Sequence, residues 1–438
     1  MILWDNKRDT IRTIEKGSFK CSLDINNPEV IRLVIGDKRV KMIIEPNHSY
    51  EIKALDSAIV FKGDNAKGND LLNTLHGAYN NNLDDIFKYE NDSTAVSVKQ
   101  KIDFDKKNEI SQIDALLTQN LIDKAFYNLF KNEIDYRYAE KIVNIVLSKS
   151  YSGDLINAGL EKLLNETIET HPVSTKNLPS NWKEYAEFVI IEKNQYEQKK
   201  EGLITRDSLI NLSVNGGIKR YKESLIVNNL NGEFREKLLA YYLIFSTKQK
   251  NYEEYLIKFF ENFKTSYPHS KYTSYLEPEI DEIKYYHEKI QRDLPTMASI
   301  IENENINNLD ELLSKFKGQK IYIDLWATWC GPCKQEFKSN RKIEKILKEN
   351  NYQKLFISID EADKKEKWIE MIKFYDLNGY HFLANKEFKE DFAQKHTVNE
   401  GYFAIPQYLL IDKTGRVVTK NAPRPSQPDE LKKLLTAQ

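Results

Sequence analysis

The segment Ile321-Tyr-Ile-Asp-Leu-Trp-Ala-Thr-Trp-Cys-Gly-Pro-Cys333 constrains the fold of this 438-residue chain more than any other. Its apolar start reads as a buried strand, and the residues after Cys333 read as a helix to about Glu349. Two thiols therefore stand three residues apart in the first turn of a helix that follows a strand. At that spacing they can close as a disulfide with little backbone movement. Free N–H groups and the partial positive charge of a helix N-terminus favour a thiolate at Cys330. Cys333, further into the helix, is expected to be shielded. The arrangement predicts a division of labour: Cys330 attacks a target disulfide and Cys333 resolves the mixed disulfide.

A Cys-x-x-Cys pair can also hold zinc, but zinc needs two more ligands, usually a second Cys or His pair at close spacing. The chain has 3 Cys. The third, Cys21, falls on the apolar side of an expected strand and reads as a small buried hydrophobe. His381 and His396 stand singly and read as surface or structural residues. A peroxidatic thiol is a second rival, and it requires polarisation by a nearby Thr and Arg. Thr328, two residues before Cys330, keeps that reading open.

Upstream the periodicity changes twice. In the first ~65 residues Phe19, Cys21, Leu23 and Ile25 alternate with polar neighbours, as do Val40, Met42 and Ile44. Turn signals at Asn26-Asn27-Pro28, Gly36-Asp37 and Pro46-Asn47 predict five or six short strands in a small antiparallel sheet or sandwich. From about Gly68 to Ile300 the spacing is helical, as in Ile113, Leu116, Leu117, Leu121 and in Trp182, Tyr185, Ala186, Val189. Breaks fall at His171-Pro172, Leu178-Pro179, Asn215-Gly216-Gly217, Asn231-Gly232 and Tyr267-Pro268. The aromatic stripes Tyr241, Tyr242, Phe245 and Tyr255, Phe259, Phe260 read as helix-packing residues. After the Asn-rich stretch 302–308 come a helix, the strand into the dithiol, a second strand at Lys354–Ile359, and a closing hairpin, Gln407–Ile411 and Arg416–Thr419. The expected class is multidomain α+β and α/β: a β-rich domain over 1–67, an all-α domain over 68–300, and a strand–helix domain over 301–438.

Composition removes several function classes. Lys+Arg 65 against Asp+Glu 66 leaves no global field for nucleic acid or an anionic membrane. The longest apolar run, Leu238 to Phe245, is far short of the ~20 residues that span a bilayer. Met1-Ile-Leu-Trp4 runs into charged residues with no signal-peptide core, so the expectation is either a cytosolic protein or a form whose export signal is absent from this chain.

Ile321 to Glu336 resembles the active-site segment of the thioredoxin fold, and is most similar to the TlpA/ResA-like thiol-disulfide oxidoreductases of bacterial cell envelopes. The tail Asn421-Ala-Pro-Arg-Pro-Ser426 also resembles the ending of envelope members with a large N-terminal extension. The resemblance implies a C-terminal thioredoxin fold, a periplasmic or envelope setting, protein disulfides as substrates and re-reduction by a membrane electron donor. It implies no cofactor beyond the redox-active disulfide Cys330–Cys333, and no metal. Asp324 matches the buried acid of thioredoxin, which can accept the Cys333 proton. Glu336 matches a glutamate that many members place near their thiols. Pro406 matches a cis proline facing the dithiol, with Ile405 open for pairing with a substrate strand. Trp329, Gly331 and Pro332 join Ile405 and Pro406 on the substrate-binding side. The Gly331-Pro332 pair is the one thioredoxin uses and favours a reductase. Two other readings stay open: an envelope binding protein in which the dithiol is secondary, and a thiol peroxidase. A homodimer through the N-terminal or helical region is a further expectation.

Overall fold

Alternation in Val40, Met42 and Ile44 puts one face of a strand into an apolar core, and the computed structural model bears this out: all three are buried. The structure describes residues 22–23, 25–35, 38–55, 59–76, 92, 94–150, 155–302, 306–397 and 402–436. The chain divides into two units, Met1–Tyr242 and Leu243–Gln438.

In the first unit, strands β1 (Glu29–Ile35) and β2 (Lys38–Ile44) form one antiparallel hairpin, and β3 (Tyr50–Ala54) and β4 (Ile59–Gly63) form another. Among the described residues there are four strands in two small antiparallel sheets, where five or six were expected over the first ~65 residues. Phe19 and Cys21 lie outside the described residues. Leu23 belongs to no strand and is exposed. Ile31, Val40, Met42, Ile44 and Phe61 pack together across the two hairpins. The helix Ala66–His76 follows at once and runs across residues 67 and 68. Asn69 and Asn73, one turn apart on it, cover the β2 edge. The Ile43 N–H donates to the Asn69 side-chain oxygen Oδ1 at 2.8 Å, and the Lys41 N–H to that of Asn73 at 3.1 Å. Edge groups that would otherwise be open to another strand are thereby taken.

The helical remainder of this unit ends its elements near the expected breaks, at Thr170, Val214 and Asn229. Trp182, Tyr185, Ala186 and Val189 are buried as their spacing predicts. The Trp182 indole N–H donates to the Val173 carbonyl at 2.8 Å, and the Tyr185 hydroxyl to that of His171 at 2.6 Å. Side chains thus take up carbonyls at and beyond the end of Ala158–Thr170. Leu121 is a correction: its helix ends at Thr118, and it is exposed.

The second unit holds a six-stranded sheet in the order β10-β9-β6-β7-β8-β5. Its strands are β5 (Ala298–Ile301), β6 (Lys320–Trp326), β7 (Tyr352–Ser358), β8 (Gly379–Leu383), β9 (Gln407–Ile411) and β10 (Val417–Thr419). Strands β6, β7, β8 and β5 are parallel; β9 runs antiparallel to β6, and β10 to β9. This is a thioredoxin-like fold. Its helices, numbered within this unit, are α1 (Tyr255–Ser266), α2 (Thr273–Lys289), α3 (Leu309–Leu313), α4 (Gly331–Phe337), α5 (Asn340–Glu349), α6 (Lys365–Tyr375), α7 (Lys386–Lys395) and α8 (Pro428–Thr436). Ile321, Tyr322, Ile323, Leu325 and Trp326 are fully buried, as a central strand covered on both faces requires. Tyr322, Tyr408 and Leu410 meet Ile343 and Leu347 of α5 and Leu431 and Leu435 of α8. Phe259 and Phe260 are buried in α1, whereas Phe245 is exposed, against the expectation for its stripe. Strand β5 runs across residues 300 and 301. Gly379 opens β8 at φ +140°, where an added Cβ would lie 2.7 Å from the Lys354 carbonyl oxygen. Only glycine fits that approach.

Candidate active site

The end of β6 delivers the dithiol. Cys330 caps the N-terminus of α4, and its sulfur accepts the Cys333 N–H at 3.2 Å. Cys330 and Cys333 are joined as a disulfide, with Cα atoms 5.4 Å apart. Cys330 keeps 4% of its surface exposed and Cys333 none. Trp329 beside them is 63% exposed. Gly331 is half-buried with open space where a Cβ would stand, and Pro332 is exposed. The Ile405–Pro406 peptide is cis. Pro406 directly precedes Gln407, which pairs with Leu325, so this peptide and the strand end leading to the dithiol lie at the same end of the sheet.

Thr328 is committed elsewhere. Its hydroxyl donates to Asp360 Oδ1 at 2.7 Å and its N–H to Oδ2 at 2.8 Å. The Ser358 hydroxyl donates to the same Oδ2 at 2.7 Å. Asp360 is 1% exposed and so anchors the loop before Cys330 to the end of β7. With its hydroxyl proton given to a carboxylate, Thr328 is not the polarising group a peroxidatic thiol needs. Asp360 escaped the sequence reading; its signal was a Ser-x-Asp closing an apolar strand.

Beneath the loop lies a row of side chains in cross-strand register: Tyr408, Asp324, Phe356 and His381. Asp324 is fully buried, and neither oxygen has a hydrogen-bond partner among the described residues. Burial, with a smaller push from the Glu336 carboxylate, raises its carboxyl to about 7 despite the opposing pull of Lys354. Lys354 Nζ stands 3.9 Å away and donates to the Asn340 side-chain oxygen at 2.6 Å. Burial draws that ammonium down. A carboxyl poised near neutrality is suited to taking and returning a proton. Glu336 is half-buried, and its two oxygens accept from Ser426, one from the N–H at 2.9 Å and one from the hydroxyl at 3.0 Å. It therefore fastens α4 to the C-terminal segment.

His381 is fully buried, stacked on Phe356 with ring centroids 4.8 Å apart, and bonds the Leu377 carbonyl through Nε2 at 2.8 Å. Burial lowers it to about 4, so it is a neutral packing residue. His396 is half-buried. Among the described residues the side chains that could share a metal are Glu45, His48 and Asp123, which belong to the first unit. Among the described residues, too, no helix is long and apolar enough to cross a membrane.

Lys334, the residue after Cys333, is 1% exposed. Its ammonium donates to the Lys250 carbonyl at 2.9 Å and to Asn251 Oδ1 at 3.4 Å. Burial lowers it to about 8, which leaves it charged at neutral pH.

Residues 294–437 match the family model described as Redoxin. This C-terminal segment is similar to the Redoxin family. The thiol-disulfide oxidoreductase ResA of Bacillus thuringiensis subsp. konkukian is 28% identical to it over 106 residues, 24% of this chain and 56% of that protein. The thioredoxin-like protein YneN of Bacillus subtilis is 30% identical over 104 residues, 24% of this chain and 56% of its own length. The chain thus spans a little over half the length of the curated relatives it matches. Among solved structures, the thioredoxin domain of a thiol-disulfide oxidoreductase from Bacteroides vulgatus is 22% identical, with a TM-score of 0.25, covering 28% of this chain and 82% of that one.

Proposed function

We propose that the Redoxin domain reduces disulfides in other proteins. The observation that supports this best is the pairing of the Cys330–Cys333 dithiol, just past the end of β6, with a buried carboxyl held near neutrality on that same strand. In the reduced protein the Cys330 thiolate attacks one sulfur of the target disulfide, forming a mixed disulfide and releasing the other target sulfur as a thiolate. Cys333 loses its proton to Asp324 and attacks the Cys330 sulfur. The target leaves as its second thiolate, and Asp324 returns the proton to it. Two electrons pass to the target, and the domain is left as the Cys330–Cys333 disulfide. Turnover then requires a thiol reductant, for which the family resemblance names a membrane electron donor in the cell envelope. Trp329, Gly331, Pro332, Ile405 and Pro406 form the side on which the target rests. The preceding regions, 1–67 and 68–300 in the sequence reading, select or tether the partner, through a homodimer or directly.

Insulin reduction by the full chain with dithiothreitol tests the activity. Cys333→Ser should strand mixed disulfides on non-reducing gels, because a hydroxyl cannot displace the target thiolate. Cys330→Ser should trap far fewer and Cys21→Ser should change nothing. Adducts that form through Cys21, or in Cys330→Ser but not in Cys333→Ser, would move the reactive thiol away from this turn.

A further inference from the structure

The helix that carries the dithiol is held by residues that the exchange chemistry does not employ. The Lys334 N–H donates to the Cys330 carbonyl at 3.3 Å, so this lysine shares the first turns with both sulfurs. Its ammonium is buried against the Lys250 carbonyl and Asn251. One turn further on, Lys338 pairs with Glu282 of α2 at 3.7 Å.

The segment holding Lys334 is itself strongly fixed. Lys250 and Tyr252 both have left-handed backbones, at φ 54° and 55°, which non-glycine residues keep only when their surroundings impose it. Lys250 Nζ reaches Glu279 at 2.7 Å and Glu282 at 2.8 Å. The Tyr252 ring is 2% exposed and stacks on Tyr286 with centroids 4.4 Å apart. Its hydroxyl meets that of Tyr375 at 2.5 Å and donates to Glu282 at 3.1 Å. His287 bonds the Tyr252 carbonyl at 2.9 Å.

A buried ammonium carried by the residue one helical turn after Cys330 acts in one direction, favouring the thiolate over the thiol. The effect is large only while the cation stays dry, because water and salt screen an exposed lysine. The other charges bearing on Lys334 are Lys367, Asp360 and Glu253.

We propose that Tyr252 is a positioning residue for disulfide exchange: it locks the Lys250–Asn251 acceptors that keep Lys334 dry, and Lys334 in turn favours the thiolate of Cys330. The segment before α1, which precedes the Redoxin-matching residues 294–437, then serves the dithiol they carry. This rests on the exchange function proposed above, but its readout, the acidity of a thiol, needs no substrate.

The experiment follows alkylation of Cys330 by iodoacetamide against pH in the fully reduced full chain, read by peptide mass spectrometry. Lys334→Met keeps the length of the side chain and removes its charge, and should raise the Cys330 pKa by about one unit, about tenfold less thiolate below that pKa. Tyr252→Phe removes one hydroxyl far along the chain and should move the pKa the same way, with roughly two- to threefold less thiolate. The double variant should match Lys334→Met alone, since both changes act through one charge. An unmoved pKa in Tyr252→Phe, or additive shifts, overturns the inference. If Lys334→Met loses its cooperative thermal transition, Tyr252→Phe decides the question alone: a raised pKa supports the inference and an unchanged one overturns it. Loss of insulin reduction with the pKa shifts intact would count against the exchange function and leave this coupling standing.

Discussion

Lys354 stands 3.9 Å from Asp324, yet its short bond, at 2.6 Å, goes to the neutral side chain of Asn340. The two opposite charges share a dry interior without a direct hydrogen bond, so neither is fully compensated for its lost hydration. This is the origin of the raised carboxyl and the lowered ammonium.

The contribution of Asp324 to stability should therefore fall as pH rises through the acid range. The unfolded Asp324 carboxyl releases its proton near 3.9 and the folded one near 7. Between those values the folded state holds the extra proton, and its contribution is lost as the pH climbs. Asp324→Asn should flatten this slope and raise the melting midpoint at pH 7.5 by about 3–8 °C. Calorimetry across that range checks it; an unchanged slope would mean an Asp324 already ionised at low pH.

The same substitution should slow the second chemical step. Stopped-flow traces of Asp324→Asn should show resolution of the mixed disulfide about 10–100-fold slower, with the first attack nearly unchanged. Slowing confined to the first step would assign the carboxyl to Cys330 instead.

Glu336 should matter more to stability than to chemistry. Glu336→Ala leaves the Ser426 N–H and hydroxyl without their acceptors, at a cost of about 1–2 kcal/mol. Insulin reduction should stay within about threefold. A loss above about tenfold with an unchanged melting curve would give the carboxylate a part in proton transfer.

Asp360 should behave as an anchor for the loop before Cys330. Asp360→Ala strips the acceptor from two donors of Thr328 and one of Ser358, at a cost of about 2–4 kcal/mol. Asp360→Asn keeps one carbonyl oxygen and should recover part of it. Urea melts of the two variants distinguish this from a surface role, in which neither would move the midpoint.

The strand, turn and helix around Cys330 were legible because their signals are local: an apolar run, a fixed Cys spacing and a proline in the first turn. Lys354 was not legible, because a lysine near the start of Tyr352–Ser358 reads as a residue turned to water. Its burial follows from register, which sets it opposite Tyr322 in the central strand. Strand β8 was missed for a related reason, since Tyr380 and His381 look polar until parallel pairing buries the histidine under Phe356. Leu121 and Phe245 fit helical spacing but are exposed. Periodicity reports which residues share a face, not whether anything covers it.

Strand β5 pairs with β8, which lies about eighty residues later in the chain. On the ribosome β5 emerges early and waits, with its open edge, until β6, β7 and β8 have all followed. At ~5–20 residues per second that wait lasts several seconds, during which the nascent chain carries an unmatched strand beside two thiols not yet enclosed. Synthesis order thus gives this domain a vulnerable interval, and it ends only when Gly379–Leu383 leaves the exit tunnel.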